Sequence, residues 1–282
     1  MQAVVSTPGG ERWAELREVP EPEPGPGELL VQVHAAGINR GELMLVQMRE
    51  DFRPGQEIAG VVAGGPRAGE RVVGLADWHG WAPLATVPEH RTVPLPDEID
   101  FATAAALPMA GCTALNLIRL GGDLLGRTVT VTGASGGVGV IAAQLARLAG
   151  ATVTAVSAVD EAVPDGQDLI LESVGGASLD QALAKVAAGG LILVFGNSSK
   201  EPSTIDFRAF AGRDRVRVQS FFSAHYEHLA AGNLRTLLGL VADGRLQVRV
   251  GLQTPLAEVN DALDALSERR VDGKAILRVA SA

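Results

Sequence analysis

The sequence predicts an α/β protein in which a parallel β-sheet covered by helices follows a smaller domain made mostly of strands. From Phe101 onward, apolar strand-like runs alternate with helical stretches, which is typical of βαβ units and a parallel sheet. Before Phe101, short apolar runs are separated by glycine and proline, which is typical of a small β domain with irregular loops. We therefore expect two domains, one comprising residues 1–103 and 246–282 and the other comprising residues 104–245.

The predicted elements follow these patterns along the chain. Before Phe101, strand-like runs span residues 28–35, 58–63 and 71–75, and from Phe101 onward the first helical stretches span residues 102–107 and 113–120. In the second part, we predict strands over 128–132, 152–157, 168–172, 191–195 and 216–220 and helices over 137–149 and 178–186. A predicted helix over 258–270 and a strand over 273–279 end the chain, and we expect them to return to the first domain.

The connection after the second strand of the sheet is unusually short. About ten residues separate Ser157 from Asp168, which is too few for a crossover helix and another strand. The sheet is therefore predicted to lack one edge strand and to leave residues 152–157 at its edge. Exposed edges invite aggregation, so we expect a loop, a partner or the charges of Asp160, Glu161 and Asp165 to protect this one.

Composition and charge limit the possible functions. The chain has 282 residues, of which 46% are hydrophobic and 20% charged, as in globular enzymes and unlike disordered chains. A net charge of −9 argues against nucleic acid or an anionic membrane as the main partner. The single cysteine, Cys112, excludes a disulfide framework and a multi-cysteine zinc site. Neither a secretory signal nor an apolar run of ~18 residues is visible, so we expect a cytoplasmic protein.

A glycine-rich turn is the first motif with chemical content. Residues 128–139 read TVTVTGASGGVG, a strand that runs into a turn and then an apolar helix. Aligned with the dinucleotide-binding fingerprint, the three small positions are Ala134, Gly136 and Gly139. Glycines there allow a sharp turn, close approach of the backbone to a pyrophosphate, and tight packing of helix on strand. The alternative is a tight turn that binds nothing.

Further motifs occur in an order that resembles one known family. They are AAGINRGEL (35–43), PGQEIAGVV (54–62), GERVVG (69–74), AAALPMAGCTAL (104–115), ESVGG (172–176), FGNSS (195–199) and GKAIL (273–277). Together they resemble the zinc-free, quinone oxidoreductase-like members of the medium-chain dehydrogenase/reductase superfamily, over essentially the whole chain. The resemblance implies a mostly β GroES-like catalytic domain and a Rossmann-like nucleotide-binding domain. It also implies hydride transfer from NADPH, bound in the cleft between the domains, to a quinone or to the carbon β to a carbonyl in an enone.

The resemblance also implies which residues form the site. Asn39 and Thr113 would lie near the nicotinamide. The residues implied to hold the cofactor are Ser135, Gly136, Gly137, Val138, Ser173, Val174, Gly175, Gly196, Asn197, Phe221 and Phe222. Two further catalytic candidates come from the residues themselves. His79, in the loop DWHGW, could donate a proton, and Tyr226 follows the phenylalanine pair, although both also fit ordinary packing or surface roles.

The sequence also bears on whether the site holds zinc and on which nucleotide it selects. Zinc-dependent relatives have a cysteine where this chain has Asn39 and a histidine where it has Gln56, so we expect no metal. We expect a structural hydrogen-bonding role for the adjacent Glu57. Ala158 stands where NAD-binding relatives have a carboxylate, and no Lys or Arg occurs between Arg147 and Lys185 to pair a 2′-phosphate.

The cofactor and the reaction therefore remain open at this point. NADPH is the first expectation, but NADH, with Asp160 bound to a ribose hydroxyl, and no nicotinamide cofactor are the alternatives. The function is predicted to be a zinc-independent reductase of a conjugated C=C bond or a quinone, with a small-molecule substrate and a homodimeric assembly. The alternative is a non-redox cyclase or isomerase that acts on an unsaturated carbonyl metabolite. A non-enzymatic binding protein is a third possibility.

Overall fold

The structure, a computed structural model, describes residues 1–279 and divides into two units. The first unit combines Met1–Cys112 with the chain from Tyr226 onward, and the second is Thr113–His225. Residues 104–112 and 226–245, which we assigned to the second domain from the sequence, group with the first unit. One reason is that Glu57 accepts hydrogen bonds from the backbone N–H groups of Met109 and Ala110.

The elements up to residue 120 are β1 (Gln2–Ser6), β2 (Ala14–Glu18), β3 (Glu28–Ile38), α1 (Arg40–Met48), β4 (Glu57–Val62), β5 (Arg71–Leu75), β6 (Leu84–Pro88), β7 (Thr92–Pro94), α2 (Phe101–Ala105) and α3 (Ala110–Leu120). They continue with β8 (Thr128–Val131), α4 (Gly137–Leu148), β9 (Thr152–Ala155), β10 (Gln167–Glu172), α5 (Ala177–Lys185), β11 (Val186–Val194) and β12 (Arg217–Ser220). The last are α6 (Ala230–Ala242), β13 (Val250–Pro255), α7 (Val259–Ser267) and β14 (Lys274–Arg278).

The first unit is built on a seven-stranded sheet. Its order is β13-β14-β3-β4-β5-β7, with β6 also paired to β3, and β1 and β2 form a separate hairpin. On β3 alternate side chains such as Val31 and Val33 are fully buried, as period two requires. Strand β14 pairs antiparallel with β3, which confirms that the last segment returns to this domain. Helix α6 packs against β5 and β7. The sequence pattern does not predict this helix, because Gly232 and Gly239 weaken its helical signal.

The second unit is a five-stranded parallel sheet in the order β12-β11-β10-β8-β9. Strand β9 is therefore an edge, and between it and β10 the chain from residue 156 to 166 forms neither helix nor strand. The predicted loss of one edge strand is confirmed. This connection nevertheless packs on the sheet, because Val159 and Val163 are buried in a cluster with Ile170 and Ile192.

The protection of the β9 edge by acidic residues of this connection stays a prediction, and two of these residues have local partners. Asp165 forms an ion pair with Lys185, and the Asp160 carboxylate accepts a hydrogen bond from the N–H of Ala162. The β9 residues remain exposed or half-buried. In the part of the chain from residue 1 to 279, no helix has the length and apolar composition that crossing a bilayer requires.

Candidate active site

The glycine-rich turn lies between β8 and α4 and has the geometry that a pyrophosphate needs. Gly136 is the N-cap of α4 and offers no side-chain hydrogen bond, so the first N–H groups of the helix are left to a ligand or to water. A Cβ on Gly136 would meet only the carbonyl oxygen of Gly133, at 3.3 Å, so the turn is open there. A Cβ on Gly139 would lie 2.3 Å from the same oxygen. Gly139 thus permits close helix packing, while Gly136 leaves the backbone accessible.

The loops that follow β10 and β11 lie beside this turn, because the carboxyl ends of parallel strands share one edge of a sheet. The N–H of Ser173 donates to Thr132 Oγ1 at 2.8 Å, which links the ends of β10 and β8. The carbonyl of Ser173 accepts from the N–H of Ser198 at 3.0 Å. Gly175, with φ of +75°, faces Asn197 so closely that a Cβ would lie 2.1 Å from Asn197 Oδ1. The structure thus brings together the predicted residues of these two loops.

Glu172 organises this turn and was not recognised as a site residue from the sequence. It is fully buried and accepts hydrogen bonds from the N–H groups of Val174 and Gly175 and from Ser178 Oγ. Three donors compensate the loss of water around a buried carboxylate. A sequence signal exists in ESVGG, where an acid directly precedes a glycine-containing turn. Glu172 is therefore a support for the loop rather than a ligand-facing group.

The remaining predicted residues of the second unit differ in accessibility. The N–H of Phe221 donates to the carbonyl of Val194 at 2.8 Å, so Phe221 lies beside the end of β11 and is buried. Phe222 is 65% exposed and packs edge-on against His225. Thr113 is buried in α3. Around the turn, Ser135 is exposed, whereas Gly137, Val138 and Gly196 are half-buried.

The first unit contains a buried polar cluster around Asn39. Glu57 and Lys274 form an ion pair whose side chains are 0% and 4% exposed. Lys274 Nζ also donates to Asn39 Oδ1 at 2.8 Å and to the carbonyl of Ile38 at 3.1 Å, while Asn39 Nδ2 donates to Glu57 at 2.8 Å. The expected structural role of Glu57 is confirmed. Both ends of the Asn39 amide are held, so its orientation is set by a lysine and a carboxylate.

A second buried carboxylate, Glu42, supports the same cluster. One oxygen accepts from the N–H of Asn39 at 2.8 Å and the other accepts from the N–H of Gly55 at 2.9 Å. Burial, opposed only in part by these hydrogen bonds, raises the pKa of Glu42 to about 7. Neither Glu42 nor Lys274 was identified from the sequence, although Glu42 stands three residues after Asn39 at the start of α1, the spacing of a capping box.

The two other catalytic candidates lie in the first unit, His79 in a loop and Tyr226 in a short helical segment. His79 is in the left-handed region with φ of +67°, and burial together with the charge of Arg53 lowers its pKa. Tyr226 is half-buried in a short 3₁₀ segment, Ser223–Leu229. The catalytic roles of both residues stay predictions.

Comparison with known proteins identifies the family. A model described as the alcohol dehydrogenase GroES-like domain matches residues 25–97, and one described as zinc-binding dehydrogenase matches residues 148–277. Prostaglandin reductase-3 from Bos taurus is 30% identical, with 93% of this chain and 84% of that protein covered. The chain belongs to the medium-chain dehydrogenase/reductase family and is quinone oxidoreductase-like. A quinone oxidoreductase from Pseudomonas aeruginosa is 28% identical and is covered over 96% of its length, as is 95% of this chain.

This family membership agrees with the fold. A mycobacterial protein solved in complex with NADPH has a TM-score of 0.85 and 25% identity, with 99% of this chain and 100% of that chain covered. The medium-chain reductase sequence also occurs inside much larger proteins. The chain spans 14% and 15% of the length of two polyketide synthase proteins that it matches, from Streptomyces orinoci and Mycobacterium tuberculosis.

The residues present do not fit the zinc ion that one family model names. By the resemblance given above, Asn39 and Gln56 stand where zinc-dependent relatives have a cysteine and a histidine, and neutral amides are poor zinc ligands. The Asn39 amide is moreover occupied by Glu57 and Lys274. Within residues 1–279, no group of three or more His, Cys, Asp or Glu side chains is arranged to hold a metal ion.

Proposed function

We propose that this protein is a zinc-independent, NAD(P)H-dependent reductase of a conjugated C=C bond or a quinone. The observation that carries the proposal is the open turn at Gly136, which leaves the N-terminus of α4 free for a pyrophosphate. Family membership supports the same conclusion, as does the similarity to the prostaglandin reductase and quinone oxidoreductase named above.

In this proposal the catalytic group of the first unit is Asn39. A nicotinamide bound at this site would supply a hydride for the carbon β to the carbonyl, and the C=C electron pair would then move toward the carbonyl oxygen. An amide nitrogen carries two N–H groups, and Glu57 accepts one from Asn39. The second N–H is the donor that we assign to the developing enolate oxygen. Lys274 and Glu57 fix its direction in advance, which is the kind of preorganisation that lowers a reaction barrier. Solvent then protonates the enolate.

We propose NADPH as the cofactor, with little discrimination against NADH. The NADPH complex of the mycobacterial relative supports NADPH. The 2′-phosphate, however, would find no cation between Arg147 and Lys185, and Lys185 is already paired with Asp165. A phosphate with nearly two negative charges gains little selectivity without such a partner.

The test combines binding and turnover. Purified protein is titrated with NADPH and NADH by calorimetry, and oxidation of each nucleotide is followed with p-benzoquinone and with an open-chain enone. We expect saturable binding of both nucleotides and turnover that Asn39→Ala lowers about 100-fold or more, since one oxyanion-hole donor contributes that much elsewhere. Exchange of an exposed amide of the first unit, Gln2→Ala, is the control and should leave the rate unchanged. Absence of binding of either nucleotide to folded protein would refute the proposal.

A non-redox function is the second candidate, because the adenosine side of the sheet has lost a strand as well as its cation. In that case the same Asn39 donor would polarise the carbonyl of an unsaturated metabolite for cyclisation or isomerisation. Product formation from an enone without nucleotide, with no oxidation of added NADPH, would favour this alternative.

We also propose that the protein is a homodimer. The four residues of β12 are all exposed at an edge of the parallel sheet, and Val218 is 47% exposed. An unprotected edge of this kind is suited to pair with a second copy. Light scattering after size-exclusion chromatography should give twice the chain mass, and Val218→Lys should shift the mass toward the monomer.

A further inference from the structure

Arg53 in the first unit is half-buried, and two of its guanidinium nitrogens are shielded from solvent without the partners that such a group needs. Its Nε and Nη2 atoms are shielded from solvent and make no hydrogen bond within the described residues. Unpaired donors of a charged group are costly to bury, so native structures rarely leave two on one side chain. Burial also lowers the pKa of Arg53, although arginine stays charged. The two orphaned nitrogens therefore point to a ligand.

Another arginine in the same unit, which is buried, shows the usual arrangement. Arg91 donates through Nη1 to Glu227 at 2.7 Å and through Nη2 to Asp77. Only its Nε lacks a partner. Within residues 1–279, two carboxylates pair with the guanidinium of Arg91 and none pairs with that of Arg53.

The two free nitrogens of Arg53 are a matched pair. Nε and Nη2 lie on the same side of the planar guanidinium, and their N–H groups form the parallel fork that binds both oxygens of a carboxylate. A neutral carbonyl or a single water satisfies only part of this fork. The missing partner therefore has the chemistry of a carboxylate.

His79 lies close to Arg53, because burial and the charge of Arg53 together lower the pKa of the His79 imidazole. The backbone N–H of His79 donates to the carbonyl of Arg53 at 3.2 Å, and the backbone N–H of the next residue, Gly80, donates to the carbonyl of Gly55 at 2.9 Å. The chain at 53–55 and the loop at 79–81 are thus held together. His79 has a strained φ of +67°, and strain of this kind is concentrated at binding sites.

The same segment is tied to Asn39. The N–H of Gly55 donates to one oxygen of Glu42, whose other oxygen accepts from the N–H of Asn39. One buried carboxylate therefore fixes the segment that carries Arg53 relative to the residue that we assign to the carbonyl oxygen.

We propose that Arg53 and His79 form a binding site for a carboxylate of the substrate, so that the substrate is an enone that carries a carboxylate group. This inference rests on the proposed reductase function. Because Nε and Nη2 are shielded, part of the surrounding chain must shift to admit the ligand. The strained His79 is where we expect it to move.

Binding is tested first, without nucleotide, so that the result does not depend on reductase activity. The probe is 3-benzoylacrylate, an enone acid, with its methyl ester as the uncharged match, and the readout is tryptophan fluorescence, because Trp78 and Trp81 flank His79. We expect the acid to bind at least about tenfold more tightly than the ester, as a charged hydrogen bond allows. Arg53→Gln should abolish that preference. Arg53→Lys, which keeps the charge but lacks the fork, should retain only part of it.

An exposed arginine of the same unit supplies the control. Arg235→Gln on α6 removes the same charge from the surface and should leave the preference unchanged. Equal binding of acid and ester, or an undiminished preference in Arg53→Gln or Arg53→Lys, would overturn the proposal. If Arg53→Gln does not fold, Arg53→Lys carries the test. Turnover then separates the two proposals: a carboxylate preference in binding without nucleotide oxidation refutes the reductase function alone.

Discussion

The cofactor turn of the second unit and the Asn39 cluster of the first unit are built in opposite ways. The turn is made of backbone, with Gly136 and Gly139 acting through the side chains that they lack. The cluster is made of buried charged side chains, and Lys274 reaches Glu57 from 217 residues away in the chain. The first arrangement depends on local conformation, whereas the second depends on pairing charges that water no longer surrounds. The two units should therefore respond very differently to substitution.

The largest effect is expected at Lys274. Lys274→Met leaves Glu57 as an unpaired buried charge, which should destabilise the first unit by about 3–5 kcal/mol. Urea unfolding followed by tryptophan fluorescence measures this unit selectively, because Trp13, Trp78 and Trp81 all belong to it. Lys200→Met, at an exposed lysine, is the control. Lys274→Met with Glu57→Gln should recover part of the loss; no recovery would mean that packing rather than charge dominates the cluster.

The pH dependence of the same unit tests the burial of Glu42. The pKa of its carboxyl rises from 4.5 to about 7 on folding, so the folded state binds the proton more tightly than the unfolded state. The stabilisation is complete below pH 4.5 and is lost as the pH rises toward 7, by up to about 3 kcal/mol. Glu42→Gln should flatten this part of the stability profile. An unchanged profile in the variant would show that another group titrates.

The turn should lose affinity rather than stability. Gly136→Val places a branched side chain where the pyrophosphate approaches, and we expect nucleotide binding to weaken by about 1–3 kcal/mol while the melting temperature changes little. Gly232→Val, at an open position of the other unit, is the matched control. If Gly136→Val unfolds the protein instead, the turn also determines stability, and the predicted difference between the turn and the Asn39 cluster is wrong.

The smallest effect concerns the 2′-phosphate. Ala158→Arg adds a cation to the segment between Arg147 and Lys185, which has no Lys or Arg. The variant should raise the preference for NADPH over NADH by about 1 kcal/mol, which is the free energy that a partly exposed ion pair contributes. Ala158→Gln gives a similar length without the charge and should change neither affinity. Strong NADPH selectivity in the unaltered protein would mean that a cation reaches the phosphate from elsewhere in the chain.

The features that the sequence predicts correctly are mostly local ones. The turn at 133–139 was recognised because each glycine answers a separate steric demand, and the missing strand followed from chain length alone. The burial of Lys274 and its pairing with Glu57 could not be predicted from the motif GKAIL, because no neighbouring residue indicates a buried partner. The predicted domain boundaries were based on changes in composition. Such changes do not show that Glu57 accepts hydrogen bonds from the backbone N–H groups of Met109 and Ala110.

The sequence by itself determined the family, the alternation of strands and helices, the open turn at Gly136 and the loss of an edge strand. These depend on backbone sterics and on the reach of a short chain, which act within a few residues. Only the tertiary structure decided that Glu57 and Lys274 orient Asn39, that Glu42 is buried, and that two shielded nitrogens of Arg53 have no partner within residues 1–279. These depend on which charges are removed from water together, and a linear sequence does not contain that information in any local pattern.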